Sequence, residues 1–167
     1  MKLEEAIKTA IEFEAQVIDV YRNAMEATSE PTGRRTFGLL ANEEQHHLEY
    51  LKRKLDELKR TGAIIVDMLE TAIPSQEIIR EGIRKLKAKI VKRDRETELQ
   101  MLSMALDIEN TTTSFYRNMV SELSGEGQKL FAHFVQIEEG HLAIVQAQID
   151  YLSKTGYWFD IKEFDME

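Results

Sequence analysis

The sequence predicts an all-α protein: an elongated bundle of four long helices with a shorter helix in the central crossover. Three observations predict it. Apolar residues recur at three- and four-residue spacing through four long stretches. Two prolines and eight glycines are few for a turn-rich β protein. Two of the stretches close on basic residues followed by glycine, "KRTG" and "SKTG", as helix C-termini do. A chain of 167 residues is one domain with room for a real core.

The first helix is predicted over Leu3 to Ala27, with Leu3, Ile7, Ala10, Val17, Tyr21 and Met25 on one stripe. The second runs from Gly33 to Arg60 and completes a hairpin over 1–62. The third runs from Arg95 to Leu123, with Asp94 as its N-cap. The fourth runs from Glu126 to Thr155 and completes a second hairpin over 95–156. At about 1.5 Å per residue such helices are roughly 40–45 Å long. Between the hairpins lies a crossover, 63–94. Its first part, "IIVDMLETAIP", reads as a packed connection ending at Pro74. Its second part carries Ile79, Ile83, Leu86 and Ile90 on one stripe, a short fifth helix. The cluster Arg84, Lys85, Lys87, Lys89, Lys92, Arg93 and Arg95 reads as a solvated face, with docking of an acidic partner as the alternative. The tail 157–167, "YWFDIKEFDME", is expected to fold back, because bare aromatics would form an apolar patch.

Composition narrows the function. A net charge of −8 argues against a nucleic-acid partner. The absence of cysteine removes disulfides, thiolate metal sites, iron–sulfur clusters and cysteine nucleophiles together. The start, "MKLEEAIKTAIEFE", has neither the apolar core of a signal peptide nor a membrane span. The expectation is a soluble cytoplasmic protein with no membrane partner.

The chain also repeats itself. "EFEAQVIDVYRN" (Glu12 to Asn23) matches "DIENTTTSFYRN" (Asp107 to Asn118), pairing Glu14 with Glu109 and Tyr21 with Tyr116. Further on, Phe37 pairs with Phe131, Glu44 with Glu138, His47 with His141, and Gly62 with Gly156. Two units, each a whole hairpin, make a duplication and not a solenoid. Both copies retain a glutamate on the first helix and Glu-x-x-His on the second.

These six residues lie on apolar stripes. Glu44 is centred among Phe37, Leu40, Leu48 and Leu51, and Glu138 among Phe131, Phe134, Leu142 and Val145. Glu14 sits between Ile7, Ala10, Val17, Ile18 and Tyr21; Glu109 sits between Leu102, Ala105 and Tyr116. His47 and His141 follow their glutamates by three, on the same face. A lone buried histidine is usually a hydrogen-bonded core residue, and a lone glutamate can reach solvent at a helix end. Four mid-helix glutamates cannot all do so. Left to themselves they repel in low dielectric and take up protons. Two divalent cations balance four carboxylates and two neutral imidazoles. A metal site is therefore expected, with a metal-free polar core as the alternative. Glu43, four before His47, competes with Glu44, but the second copy has Ile137 at that place, which selects Glu44. Glu43 and Glu139 are read as supporting or surface groups. His46, matched by Gly140, and His133, off the stripe, are expected to be exposed.

Glu14 with Tyr21, "EEQHH", Glu109 with Tyr116, and "IEEGH" together resemble the ferritin-like di-iron carboxylate superfamily, and rubrerythrins within it. The resemblance covers nearly all of the chain outside the crossover. It implies a ferritin-like bundle, two iron ions (manganese or zinc being the other occupants the donors suit), and a di-iron oxidase or peroxidase that reduces peroxide or O2. Tyr21 and Tyr116 are then core aromatics bonded to a carboxylate, or redox-active partners of the site. Two departures bear on this. Peroxide-reducing rubrerythrins typically carry a further carboxylate three residues after the third-helix ligand; here that residue is Thr112, in "NTTTS". The threonine hydroxyls are expected to bond an oxygen species or the preceding helical turn. The cysteine-rich rubredoxin-like module is absent, so electrons are expected from a separate donor. Iron storage with ferroxidase activity and a metal-free helical interaction module are the alternative functions. Each hairpin exposes an apolar face, so a homodimer is expected, with hairpin exchange one way to form it.

Overall fold

The computed structural model describes residues 1–86 and 95–161. Over these the protein is all-helical, with no strand: α1 (Leu3–Ala27), α2 (Pro31–Thr61), α3 (Gln76–Lys85), α4 (Glu96–Glu122) and α5 (Gly125–Thr155). Helix α2 starts two residues before the spacing suggests. Pro31 suits a first turn, where no N–H is needed, and the Glu30 carboxylate accepts from the Gly33 N–H at 2.8 Å. Arg95 stands at the N-cap of α4; Asp94 lies outside the described residues. The predicted closures of α2 and α5 are present. Gly62 (φ 81°) and Gly156 (φ 75°) turn left-handed, and their N–H groups reach back to Leu58 and Leu152.

Helix α1 packs along α2, and α4 along α5, as two hairpins. The hairpins meet where α1 lies on α4, and α3 rests on α5. Two apolar clusters fill the interior. One gathers Val17, Tyr21, Phe37, Leu40, Leu102 and Val145. The other gathers Ile7, Ala10, Leu51, Tyr116, Phe131 and Phe134. Each fully buried Leu, Ile or Phe contributes about 1.5–3 kcal/mol. These apolar clusters hold the fold together and make room for a band of buried polar groups that, as ions, oppose it.

The first half of the crossover departs from expectation. Ile64 and Ile73 are buried, but Ile65 is 74% exposed and Met68 84%. It is a strap without regular structure, so its backbone groups need partners elsewhere. Side chains of α2 and α5 supply them. The Tyr50 hydroxyl donates to the Asp67 carbonyl at 3.0 Å, and Glu57 accepts from the Ile65 N–H at 3.0 Å. From α5, Glu126 accepts from Val66 and His133 Nε2 from Leu69, both at 3.0 Å. The strap thus ties α2 to α5.

Ser75 caps α3, and Ile79 is buried beneath it. Of the basic cluster, Arg84 and Lys85 are exposed as expected. Arg95 is not part of a solvated face: its Nε donates to the Gly156 carbonyl at 3.2 Å, and its Nη1 lies 3.4 Å from Glu98. Lys87, Lys89, Ile90, Lys92 and Arg93 lie outside the described residues. The tail folds back as far as Ile161. Trp158 Nε1 donates to Glu98 at 3.1 Å, and the indole meets Phe37 edge-on at 5.3 Å. It lies so close to α2 that a Cβ on Gly33 would come within 2.7 Å of the ring. No helix of the described residues is long and apolar enough to cross a membrane.

Candidate metal centre

Glu14 on α1, Glu44 and His47 on α2, Glu109 on α4, and Glu138 and His141 on α5 are all fully buried. Each sits mid-helix on the apolar stripe, so docking the hairpins brings the six into one place. They form two overlapping clusters. In one, an atom each of Glu14, Glu44, His47 and Glu138 lie within 4.8 Å of one another; in the other, Glu44, Glu109, Glu138 and His141 do. Glu44 and Glu138 belong to both.

Both imidazoles turn Nδ1 toward the carboxylates. His47 Nδ1 lies 3.0 Å from Glu44 Oε2 and 3.1 Å from Glu138 Oε1. His141 Nδ1 lies 2.6 Å from Glu44 Oε1 and 3.1 Å from Glu138 Oε2. The rings stack, 5.4 Å apart and 11° from parallel. Among the described residues, six buried atoms here have no hydrogen-bond partner: Glu14 Oε2, Glu109 Oε2, both Glu138 oxygens, and Nε2 of each histidine. The Glu138 oxygens have the distance to Nδ1 but not the angle of a hydrogen bond. Buried polar atoms are normally paired, and an unpaired one costs about 1–3 kcal/mol. Carboxylate and imidazole donors around a common space, with lone pairs unspent, could hold a metal ion.

With protons alone to balance the charge, the groups push one another apart. Burial, then the charges of Glu138, Glu14 and Glu109, holds the Glu44 carboxyl well above the ordinary range. Burial and the Glu138 charge raise Glu109 to about 7. Burial also works against the charge on Glu138, but His141 and His47 outweigh it and hold that carboxyl below the usual range. Burial disfavours the charged histidines; the surrounding carboxylates reverse this and raise both. A metal ion held here would therefore compete with protons for the same atoms.

The tyrosines cross between the two copies. The Tyr21 hydroxyl donates to Glu109 Oε1 at 2.5 Å, and the Tyr116 hydroxyl donates to Glu14 Oε1. Glu14 and Glu109 are thus each held by a tyrosine of the other hairpin. Burial, then the neighbouring carboxylate, raises both phenols well above the ordinary value, so each keeps its proton. The threonines face their own helix: Thr111, Thr112 and Thr113 donate to the carbonyls of Asp107, Ile108 and Glu109.

Residues near the site fall into place differently. His46 is exposed, as expected, and Glu139 is partly exposed beside Arg117 at 3.4 Å. His133 is not exposed as expected but half-buried, because it accepts from the strap at Leu69. Glu43 is buried, and its Oε1 takes the Thr71 hydroxyl at 2.7 Å and the N–H groups of Ala72 and Ile73. An oxygen of Glu43 also lies within 4.8 Å of a nitrogen of His47 and of His141. The only sequence signal for this role is the mismatch of Glu43 with Ile137.

In comparison with known proteins, no protein-family model, no curated protein and no solved structure matches the chain.

Proposed function

We propose that the protein is a ferritin-like, four-helix di-metal carboxylate oxidoreductase of rubrerythrin type that reduces peroxide or O2. The pair of overlapping clusters sharing Glu44 and Glu138 carries this reading. Glu14 with His47 would hold one ion, Glu109 with His141 the other, and the shared glutamates both. Iron suits these oxygen and nitrogen donors, as does manganese; zinc fits them but brings no redox chemistry. Bound there, two iron ions supply a two-electron exchange with a small oxidant.

The chain's own residues prepare the place. The apolar clusters on either side exclude water, which strengthens every charge interaction within. Tyr21 and Tyr116 fix the terminal glutamates through crossed hydrogen bonds and keep their protons while doing so. Thr112 stands where peroxide-reducing rubrerythrins have an additional carboxylate, and its hydroxyl is spent on Ile108. The ligand set on this side of the site is therefore Glu109 and His141, with the two shared glutamates. Reducing equivalents come from a separate donor.

The test is turnover. Anaerobically purified, iron-loaded protein with a chemical reductant is given peroxide, and consumption per chain is followed. Many turnovers support the reading. Consumption that stops at one oxidation, with ferric iron retained, would make it an iron-storage protein instead.

A further inference from the structure

All six candidate ligands are fully buried, so a cation from water must pass between elements to reach them. A wider cleft elsewhere does not serve. It measures about 690 Å³ between α3 and α4–α5, and none of the six ligands lines it; Arg80, Arg84 and Arg117 stand there beside Glu139 and Asp150. A smaller cleft of about 270 Å³ lies between α2 and the strap, lined by Asn42, Glu43, His46, Glu70 and Thr71. These are oxygen and nitrogen donors of the kind that suit a divalent cation. Asn42, His46 and Glu70 are exposed at its mouth.

Glu43 belongs both to this cleft and to the surroundings of the site. Among the described residues, all three of its hydrogen-bond donors fall on Oε1, which leaves Oε2 without one. One of its oxygens lies within 4.8 Å of a ring nitrogen of His47 and of His141, and each of those rings has a buried nitrogen with no partner. The duplication isolates the same residues. Where the first copy has Glu43 and His46, the second has Ile137 and Gly140, so the added donors stand only on α2.

We propose that the cleft between α2 and the strap is the port by which divalent cations reach the buried site. Glu70 and His46 gather the ion at the mouth, and Glu43 hands it inward as waters are exchanged for ligands. The proposal rests on the metal-site reading above.

Cobalt(II) uptake by the chelator-stripped full chain tests it, followed by visible absorption in stopped flow. The double variant Glu70→Gln with His46→Ala removes donors from exposed positions. Asn42→Trp narrows the mouth without altering charge. The double variant should load roughly tenfold more slowly, on the scale by which local charge raises on-rates; Asn42→Trp should also load more slowly, by obstruction, and both should reach the same final cobalt content. Asp107→Asn, an equal loss of charge at an exposed position on α4, should load at the wild-type rate. Wild-type rates in both port variants overturn the port, as does equal slowing in Asp107→Asn. A lower final content in the double variant overturns it too, because those residues would then be ligands. If the wild-type chain itself takes up no cobalt, the metal-site reading falls and takes the port with it.

Discussion

Replacing Glu109 by glutamine in the metal-free chain should make the fold more stable at pH 7. Burial and the Glu138 charge raise this carboxyl from 4.5 to about 7. The folded chain then holds a proton where the unfolded chain has released it. Stability from this group is complete below pH 4.5 and is lost as pH rises through about 7. At 1.36 kcal/mol per pKa unit, the loss at pH 7 is about 3 kcal/mol. Glutamine keeps the shape and an oxygen for the Tyr21 hydroxyl, but carries no charge. Glu109→Gln should therefore raise Tm by about 6–12 °C at pH 7, with no gain at pH 4. Glu138→Gln should do the opposite. Its carboxylate is the shared counter-charge of His47 and His141, and removing one partner of a buried ion pair costs about 3–5 kcal/mol. The assay is circular-dichroism melting in chelator from pH 4 to 7.5. Shifts of the same sign, or a Glu109→Gln gain that does not vary with pH, would refute the charge balance described here.

Three further outcomes follow from the contacts. Tyr21→Phe or Tyr116→Phe should weaken metal affinity by about 10–100-fold, as loss of a residue that orients a ligand does; competition with a chromophoric chelator measures it, and unchanged affinity in both variants counts against the crossed hydrogen bonds. Glu43→Ala orphans three donors of the strap, so limited proteolysis within 65–73 should quicken and stability fall by about 1–3 kcal/mol. The chain should be a homodimer in solution, with exchange of hairpins one way to form it; light scattering that shows only monomer at micromolar concentration would refute this.

The burial and convergence of the six candidate residues were legible in the sequence for two reasons. Polar residues centred on apolar stripes must point inward, and the duplication removed rivals such as Glu43. Helix ends were legible where a terminal glycine marks them, at Gly62 and Gly156. The crossed tyrosine bonds were not. Tyr21 lies two turns from Glu14 on its own helix, and its bond to Glu109 depends on how α1 meets α4, which no local pattern encodes. His133 and Glu43 were misjudged or left open for a related reason. Their partners are backbone groups of a strap that has no periodicity, so helix spacing says nothing of them. Ile65 and Met68 show the limit of apolar composition as a guide to burial: both stand in solvent while several of the strap's backbone groups pair with side chains of α2 and α5.

Metal content tests the central claim most directly. The chain is purified without oxygen or chelator, and iron, manganese and zinc are quantified per chain, beside Glu44→Ala and Glu138→Ala. Two ions per wild-type chain, with loss in both variants, is the predicted result. A folded wild-type chain that binds none when offered excess iron, or variants that keep the full complement, would contradict it.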